Sequence, residues 1–472
     1  MHTPIRTLIS IAVAGVLANQ VAHAGAFSLY TESSAAKIGN FAAGAAADGS
    51  DASIGWYNPA GLVLIEQQEL VLSGVGIFPS SKLTGMSTFN TNTEIPGIGV
   101  VTYQQRFSGI QGAENAFVPA IHYAKPLGPR ATAGLSIVAP FGLSTNWGEK
   151  SPVRYQATLT DLKTINVSPE LGGKLTDNLS IGGGIDFQWA QVKFNQMLGS
   201  PAVLQNVNHS PPMYLDSLSY NKGHSFNMGF HAGLLGLFND NHTRIGINYQ
   251  SQVKHQFHGY SVLTGRLADT ELMNPDAQFR SNHLFSNTVA LPDMTTLSVY
   301  QDVNERLALL ASAIYAGWHP FKVIQLNDIA GFDDDLNHPD FGPHLLNNTA
   351  INDYDSAWRF ALGANINVNE SFMLRVGGGY DITPTTNRNR DVRLPDANRW
   401  AASIGGHYQA IPALGFDLGY TYLWGDGQSK INKTNPLGMF SNYNVTARGN
   451  NHVHLVGLQA VWMIDYHEMN TK

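Results

Sequence analysis

Apolar and polar residues alternate along most of this chain, in stretches of roughly ten residues that begin near Gln67. A period of two is typical of β-strands whose two faces meet different surroundings. In residues 244–258 we expect one apolar and one polar face: Ile245, Ile247, Tyr249, Val253 and Phe257 oppose Arg244, Asn248, Gln250, Gln252, Lys254 and Gln256. The pattern recurs in residues 164–175, 359–369 and 416–424. It predicts an all-β fold.

The connections between these stretches alternate in length. Short turns fall at 128–129, 176–178, 239–242, 304–305, 369–370 and 411–413, and long polar segments fall at 79–115, 195–222, 260–285, 327–355 and 425–451. Short turns at one end and long loops at the other are the layout of outer-membrane barrels. The sequence therefore predicts an all-β membrane protein, an antiparallel transmembrane β-barrel of about fourteen strands over residues 67–464. We expect a C-terminal tail over residues 465–472 to follow it.

Residues 1–24 have the pattern of a signal peptide. Arg6 supplies a positive charge, residues 7–21 are apolar, and Ala22-His23-Ala24 is the small-x-small pattern that signal peptidase cuts after. The alternative is an N-terminal membrane anchor, but this apolar run is shorter than the roughly 20 residues that cross a bilayer as a helix. We therefore expect export with cleavage after Ala24.

The composition is poor in charge. Only 13% of the residues are Asp, Glu, Lys or Arg, about half of the share in soluble proteins, and a wall that faces lipid needs no more. The net charge of −7 disfavours nucleic acid as a partner. The chain has no cysteine and its 17 histidines lack metal-ligand spacing, so we expect no metal, no cofactor and no enzymatic activity. The acidic residues 333–335 lack the spacing of a calcium loop.

Residues 25–66 differ from the rest of the chain, because they are rich in Gly, Ala, Ser and Asp and show little alternation. We expect turns and short helices that bury a compact apolar set: Phe27, Leu29, Ile38, Phe41, Ile54, Trp56, Tyr57, Leu62 and Leu64. The segment is predicted to be an N-terminal hatch that plugs the barrel.

Several spaced motifs occur in one order along the chain. Within residues 49–62, Gly-Ser-Asp-Ala-Ser precedes Tyr-Asn-Pro-Ala-Gly-Leu, and this pair is the most specific. Weaker motifs lie at 25–29, 141–147, 249–254, 291–294 and 394–399. Together they resemble the FadL family of outer-membrane transporters for long-chain fatty acids and aromatic hydrocarbons, over essentially the whole mature chain. One departure is the segment after residue 464, because the family usually ends on a strand with a terminal aromatic residue.

The resemblance implies a passive outer-membrane channel that takes up long-chain fatty acids or similar hydrophobic molecules. Aromatic hydrocarbons are the alternative substrates within the family. The resemblance also implies a monomer, contact with outer-membrane lipid and lipopolysaccharide, and insertion by the barrel-insertion machinery. Rival interpretations are an outer-membrane lipase, which needs a lipid-facing Ser and His, and an open general porin, which has no hatch.

The resemblance also implies where the ligand binds. Phe27 corresponds to the family's contact between plug and ligand, and Lys193 and Lys322 are the candidates for a cation that holds a carboxylate head group. An outer groove is expected from apolar loop residues, namely Leu204, Met213, Tyr214 and Leu215, with Val203 and Leu218 beside them. The alternative is that this loop packs on itself.

Two further motifs are expected to shape the wall. Asn58, Pro59 and Ala60 are predicted to fix the turn where the hatch meets the barrel, since Asn caps turns and Pro presets φ.

Pro140, Phe141 and Gly142 lie in the third predicted strand, residues 131–143. Pro140 has no backbone N–H to donate to a neighbouring strand, and Gly142 has no side chain to pack against one. We therefore expect strand pairing to weaken there. We interpret this as an inward kink that opens a lateral gate to the bilayer; the alternative is that these residues only end the strand.

Overall fold

The computed structural model describes residues 27–91, 99–335, 341–437 and 441–465. The predicted signal peptide and all but the first residue of the predicted tail lie outside the described residues. Short helices occupy Thr31–Ser33, Ala35–Ile38, Ile54–Tyr57 and Pro59–Leu64, and two more lie in loops at Pro201–Asn208 and Arg266–Ala268. None of the helices in these ranges is long and apolar enough to cross a membrane.

The remainder is mostly β-strand. The strands are β1 (Glu69–Thr91), β2 (Thr102–Gln111), β3 (Ala116–Gly128), β4 (Ala131–Val138), β5 (Gly142–Asn146), β6 (Leu159–Lys174), β7 (Leu179–Leu198), β8 (Ser217–Phe238), β9 (Thr243–Gln250), β10 (Val253–Thr264), β11 (Gln278–Leu291), β12 (Asp293–Asn304), β13 (Leu307–Gly317), β14 (Val323–Asp333), β15 (Gly342–Ile351), β16 (Ala357–Asn369), β17 (Phe372–Asp381), β18 (Arg399–Ile411), β19 (Leu414–Gly425), β20 (Ser429–Pro436) and β21 (Ser441–Met463).

Fourteen antiparallel strands form a closed barrel, which confirms the predicted fold. Around the wall they are β1, β3, β4 with β5, β6, β7, β8, β9 with β10, β11 with β12, β13, β16, β17, β18, β19 and β21. The ladder between β1 and β21 runs from Glu69↔Met463 to Thr91↔Ser441 and closes the sheet.

The long segments contain more strand than the sequence predicted. Residues 79–115 include the end of β1 and all of β2, residues 327–355 include most of the β14–β15 hairpin, and residues 425–451 include β20 and the start of β21. The prediction of long polar loops was therefore wrong for these parts. Polar side chains suit strands that project beyond the lipid, where both faces meet water, so polarity alone does not distinguish such strands from loops.

Side chains alternate between lipid and lumen as the period predicted, with one correction. Ile245, Ile247 and Tyr249 are 44%, 43% and 40% exposed on the outer face, whereas Val253 and Phe257 are only 5% and 4% exposed. The five residues thus do not share a face. The strand is broken between Gln250 and Val253, and the alternation shifts by one residue across this break, so the opposite set of side chains points outward after it.

The segment from Phe27 to Ile65 lies inside the barrel. Its short helices contact β4, β6, β7 and β8 on one side and β18, β19 and β21 on the other. The salt bridge from Lys37 Nζ to Asp48 Oδ2 is 2.7 Å long and both side chains are buried. Burial by itself would raise the pKa of Asp48, but the Lys37 ammonium holds that pKa below its usual value. The lumen is therefore filled by a packed element, which distinguishes this barrel from an open porin.

Candidate ligand pocket and lateral opening

The ring of Phe27 lies in an aromatic cluster within the barrel. Its centroid is 4.5 Å from that of Trp318, 5.4 Å from that of Phe321 and 6.4 Å from that of Phe141, all in edge-to-face arrangements. We call the surrounding apolar set the Phe27 cluster: Phe27, Phe141, Leu143, Leu162, Ala190, Phe257, Val289, Leu291, Trp318, Phe321, Tyr354, Ala357 and Leu394. Residues from the hatch, the wall and the long loops together form this apolar set. Binding sites for apolar ligands are lined mainly by such hydrophobic and aromatic side chains.

The cavities beside this cluster are small. One is lined by Ser28, Pro140 and Phe141, and another by Ser28, Trp318 and Arg359, and each has a volume of about 20 Å³. Such a space admits about one water molecule. Because pockets for small-molecule ligands measure roughly 300–1,000 Å³, a long ligand enters this site only if side chains of the Phe27 cluster move.

The third barrel strand is interrupted, as the sequence predicted. β4 ends at Val138 and β5 begins at Gly142. The β3–β4 ladder stops at Ile121↔Ile137, and β5 pairs with β6. The wall joins again at an isolated bridge between Ala113 and Thr145. Among the described residues, the stretch of β3 from Ala116 to Ala120 therefore has no ladder partner on this side, and the wall has a window there.

The start of the hatch occupies the inner side of this window. Ser28 and Phe141 form an isolated antiparallel bridge. The Leu29 N–H donates to the Pro140 carbonyl at 2.8 Å, and the Gly142 N–H donates to the Phe27 carbonyl at 2.9 Å. At the break, the interrupted strand thus pairs with the N-terminal segment instead of with β3. This pairing satisfies the backbone hydrogen-bonding groups of the strand without water.

The strand on the other side of the window supports the same segment. The Phe141 N–H donates to Thr164 Oγ1 at 2.9 Å, and Thr164 Oγ1 donates back to the Phe141 carbonyl at 2.6 Å. A Cβ added at Gly142 would lie 3.0 Å from Leu29 Cδ1, so glycine permits the close approach of the hatch. The assignment of Pro140, Phe141 and Gly142 as a lateral gate stays a prediction about function.

An apolar groove lies on the outer face next to the window. Its volume is about 600 Å³, and it is lined by Leu72, Ser73, Gly74, Gly76, Phe78, Phe117, Pro119, Ala120, Ile121, Val456 and Leu458. Gly74 leaves room there for the exposed ring of Phe117, and Gly76 leaves room for the exposed ring of Phe78. The groove borders the unpaired part of β3, so it connects the window with the lipid side of the wall.

The Asn58-Pro59-Ala60 motif joins the hatch to the wall. Asn58 Nδ2 donates to the Ala46 carbonyl within the hatch at 2.7 Å and to the Leu234 carbonyl of β8 at 3.0 Å, while Asn58 Oδ1 accepts from the Ala60 N–H at 3.1 Å. A Cβ added to Gly172 of β6 would lie 2.4 Å from the Pro59 carbonyl oxygen. Close contact between the motif and wall glycines therefore positions the hatch.

The two lysines singled out by resemblance do not lie in the lumen. Lys193 shares its face of β7 with Ile181 and Ile185, which are 45% and 49% exposed to lipid, whereas the alternate residues Ala190 and Val192 pack in the Phe27 cluster. Lys322 is exposed in the turn after Phe321. Neither ammonium is placed to meet a carboxylate beside Phe27.

A different cation lies at the extracellular side of the cluster. Arg393, next to Leu394 of the Phe27 cluster, is buried with its guanidinium carbon 3.5 Å from the centre of the Phe194 ring. Among the described residues its guanidinium donates to neutral oxygens only: the Gln156 carbonyl at 2.7 Å, Thr160 Oγ1 at 2.9 Å, Gln196 Oε1 at 3.2 Å and the Asn195 carbonyl at 3.4 Å. Its backbone N–H donates to Asp391 Oδ1 at 2.9 Å, and the charge of Asp391 acts on the guanidinium from there. Burial lowers the pKa of Arg393 to about 10, so it stays charged at neutral pH.

The predicted outer-groove residues are only partly brought together. Leu215 is buried against Leu263 and Leu267, and Tyr214 packs on the same cluster with Arg266 4.3 Å from its ring centre. Met213 is 42% exposed. The side chain of Leu204 lies outside the described residues. For Leu215 the alternative that the loop packs on itself describes the contacts seen.

Sequence reasoning missed Trp318, Phe321 and Arg393. The first two flank His319-Pro320, where an apolar run ends, and this pairing of aromatic residues around a turn was the available signal. Arg393 directly precedes the Leu394-Pro395-Asp396 motif, but nothing local shows that its loop folds back over the lumen.

Comparison with known sequences identifies the family. Residues 15–463 match the family described as outer membrane protein transport protein (OMPP1/FadL/TodX). The chain is 29% identical over 437 residues to outer membrane protein P1 of Haemophilus influenzae, covering 88% of this chain and 89% of that protein. It is 26% identical over 433 residues to the long-chain fatty acid transport protein of Salmonella typhi, covering 90% and 93%.

Solved structures show the same fold. A FadL homologue from Pseudomonas aeruginosa superposes with a TM-score of 0.76 at 23% identity, covering 93% of this chain and 100% of that one. The Pseudomonas putida toluene transporter TodX gives a TM-score of 0.62 at 14% identity, again covering 93% and 100%. With its hatch-filled barrel of fourteen strands and a family match across nearly its whole length, the chain belongs to the OMPP1/FadL/TodX family of outer-membrane transport proteins.

Proposed function

We propose that the protein takes up long-chain fatty acids across the outer membrane. The observation that carries this is the position of Arg393, whose buried guanidinium has no hydrogen-bonded carboxylate among the described residues, at the extracellular side of the Phe27 cluster. A fatty acid has one carboxylate and a long apolar tail, and these two environments match its two ends. The names of relatives as long-chain fatty acid transport proteins support the same substrate.

The tail leaves sideways rather than through the periplasmic end. Each methylene that moves from apolar surroundings into water costs about 0.8 kcal/mol, so release of a long tail into the periplasm is strongly unfavourable. The window between β3 and β5 leads instead to the outer groove beside Phe117 and Ile121. On this route the tail stays in apolar surroundings throughout.

Passage requires the hatch segment to leave the window. Phe27, Ser28 and Leu29 hold the inner side of the window through the Ser28–Phe141 bridge and the hydrogen bonds to Pro140 and Gly142. Ligand that enters the Phe27 cluster competes with the Phe27 ring for the same space, because the adjoining cavities hold only about 20 Å³. Binding and opening are thereby coupled, and no energy source is needed.

The experiment is uptake by cells that lack their own fatty-acid transporter and express this protein. Radiolabelled oleate, its methyl ester and toluene are compared with an empty-vector control. We expect the protein to increase oleate uptake more than uptake of the ester, because the ester lacks the charge that Arg393 attracts. Increased uptake of toluene and ester without an increase for oleate would instead assign the protein to aromatic and neutral hydrophobic substrates.

A further inference from the structure

Four basic side chains lie together on the outer face of the barrel: Lys163 of β6, Lys193 of β7, Lys222 of β8 and Arg280 of β11. We call them the basic patch. Their placement follows from the ladders, since Lys193 is directly opposite Asp161 of β6 and directly opposite Lys222 of β8. Lys222 in turn is opposite Tyr260 of β10. The transport route inside the barrel uses none of these side chains.

The patch lies directly above the lipid-facing band. Ile165, Trp189 and Phe226 form one cross-strand row on the outer face, and Phe226 is 61% exposed. Lys163 lies two residues farther toward the long loops, and Lys193 and Lys222 lie four residues beyond Trp189 and Phe226. Aromatic residues mark the boundary of the apolar band, and the long loops are extracellular. The basic patch is therefore level with the head groups of the outer leaflet.

The positive charges of the basic patch repel one another when no anionic ligand is bound. Lys193 and Lys222 are a cross-strand pair of like charges, and such pairs destabilise a sheet. The carboxylates that face the patch are Asp161, whose Oδ2 is 3.7 Å from Lys163 Nζ, and Glu114, which accepts a hydrogen bond from Ser144 next to Asp161. In the part of the chain that the structure describes, four cations thus face two carboxylates.

Aromatic side chains extend the surface toward the loops. The rings of Tyr220 and Tyr260 stack with centroids 6.0 Å apart, and the Arg280 guanidinium carbon lies 4.6 Å from the centre of the Tyr260 ring. His224 and His258 are exposed between this platform and the apolar band. The face therefore combines cations, hydroxyl groups and flat rings above an apolar wall, which suits a phosphorylated sugar that carries acyl chains.

We propose that the basic patch binds the phosphates of the glycolipid in the outer leaflet, with its acyl chains along the wall below. Clusters of Lys and Arg at the membrane surface attract anionic head groups, and the exposed residues Phe226, Met228 and Phe230 offer the apolar contact directly beneath. Free phosphate does not make this second contact. The basic patch is separate from the fatty-acid route, so failure of one of the two proposals does not affect the other.

The test is native mass spectrometry of the full-length protein purified from outer membranes. The probes are bisphosphorylated lipid A, dephosphorylated lipid A and inorganic phosphate. The variant Lys163→Ala/Lys193→Ala/Lys222→Ala should bind bisphosphorylated lipid A about 100-fold more weakly, since each basic side chain near the surface contributes to anionic-lipid binding. The matched control Lys125→Ala/Lys174→Ala/Arg306→Ala removes as many charges near the periplasmic end and should bind normally.

Folding and specificity are checked in the same samples. The variant Lys163→Arg/Lys193→Arg/Lys222→Arg keeps the three charges and should retain lipid A binding. Heat-modifiable migration should show that every variant forms a barrel. Equal loss in the control variant, equal binding of dephosphorylated lipid A, or displacement of lipid A by inorganic phosphate at similar concentration would each overturn the proposal. Oleate uptake should be unchanged in the alanine variant.

Discussion

The backbone N–H of Leu29 donates a 2.8 Å hydrogen bond to the carbonyl of Pro140, and this bond joins the start of the hatch to the break in the wall. Pro140 has no N–H, so it cannot take part in a regular ladder with β3. The same residue that interrupts the strand therefore receives the segment that covers the window. On the proposed lateral route, opening the window therefore requires displacement of the N-terminal segment.

The first prediction concerns the window itself. Replacing Pro140 and Gly142 together by Val should restore pairing across the break and abolish uptake, while oleate binding to purified protein stays largely intact. A Cβ at position 142 would lie 3.0 Å from Leu29 Cδ1, so Pro140→Val alone separates closure of the window from displacement of Leu29. Pro126→Val, in the paired part of β3 and β4, is the control. Normal uptake by the double variant would show that the lateral route is wrong.

Phe27 should anchor the segment that covers the window. Phe27→Ala removes the ring contacts with Trp318, Phe321 and Phe141, and loss of a buried Phe side chain costs about 3–5 kcal/mol. We expect faster hydrogen exchange at the amides of Leu29 and Gly142, measured by mass spectrometry of peptides. Phe78→Ala, on the lipid face, should not change this exchange. Unchanged protection in Phe27→Ala would mean that the segment is held by other contacts.

Arg393 should distinguish charged from neutral ligands. Arg393→Gln should weaken oleate binding by about 1.5–3 kcal/mol, the usual contribution of a hydrogen bond to a charged group, and should barely change binding of a long alkane. Lys322→Gln, an exposed turn residue, is the control. Isothermal titration or fluorescence displacement measures both ligands. A similar loss for acid and alkane would indicate that Arg393 only holds its loop in place.

The outward and inward faces of the strands could be predicted from the sequence in part. Alternation identified β6 correctly, because Val167 and Leu171 are exposed while Asn166 and Glu170 are buried. It was wrong across residues 250–253, since a break that reverses the two faces leaves no mark in composition. Lys193 shows a further limit. Ile181 and Ile185 have the same parity in β7 and place Lys193 on the outer face, whereas the family resemblance implied a position in the lumen.

Long-range contacts were outside the reach of pattern reasoning. The interrupted third strand was predicted from Pro140 and Gly142, yet its new partner is a segment more than a hundred positions earlier in the chain. Arg393 reaches the lumen only because its loop folds back over the barrel, so that its guanidinium contacts Phe194 and Gln156. Contacts of this kind depend on how the barrel closes, and no local sequence signal reports them.

The stability of the hatch in its docked position should depend on pH because of Glu32. Its carboxylate oxygens are buried without a hydrogen-bond partner among the described residues, and burial raises the pKa of Glu32 to about 7, although Arg359 and Arg399 oppose the shift. A raised pKa in the folded state means that the folded state binds the proton more tightly. The stability of the docked hatch should therefore fall as pH rises from about 4.5 through 7.

Hydrogen exchange of hatch amides at pH 5 and pH 8, corrected for intrinsic rates, measures this dependence. Glu32→Gln should flatten it, because the amide carries no charge at either pH. Asp269→Asn, in an exposed external loop, should leave the dependence unchanged. A hatch equally protected at both pH values in the unmodified protein would contradict the assignment to Glu32.

The last prediction is that the hatch sets the selectivity of the barrel. Deleting residues 25–66 removes the contacts of Asn58 with Leu234 and of Pro59 with Gly172, but it leaves the ladders of all fourteen wall strands in place. We therefore expect a folded, heat-modifiable barrel whose lumen is wet and lined by side chains such as Arg359, Arg375 and Asp417. Liposomes that contain it should leak small sugars, whereas liposomes with the complete mature chain should not. A deletion variant that folds and stays impermeable would show that the external loops, rather than the hatch, close the channel.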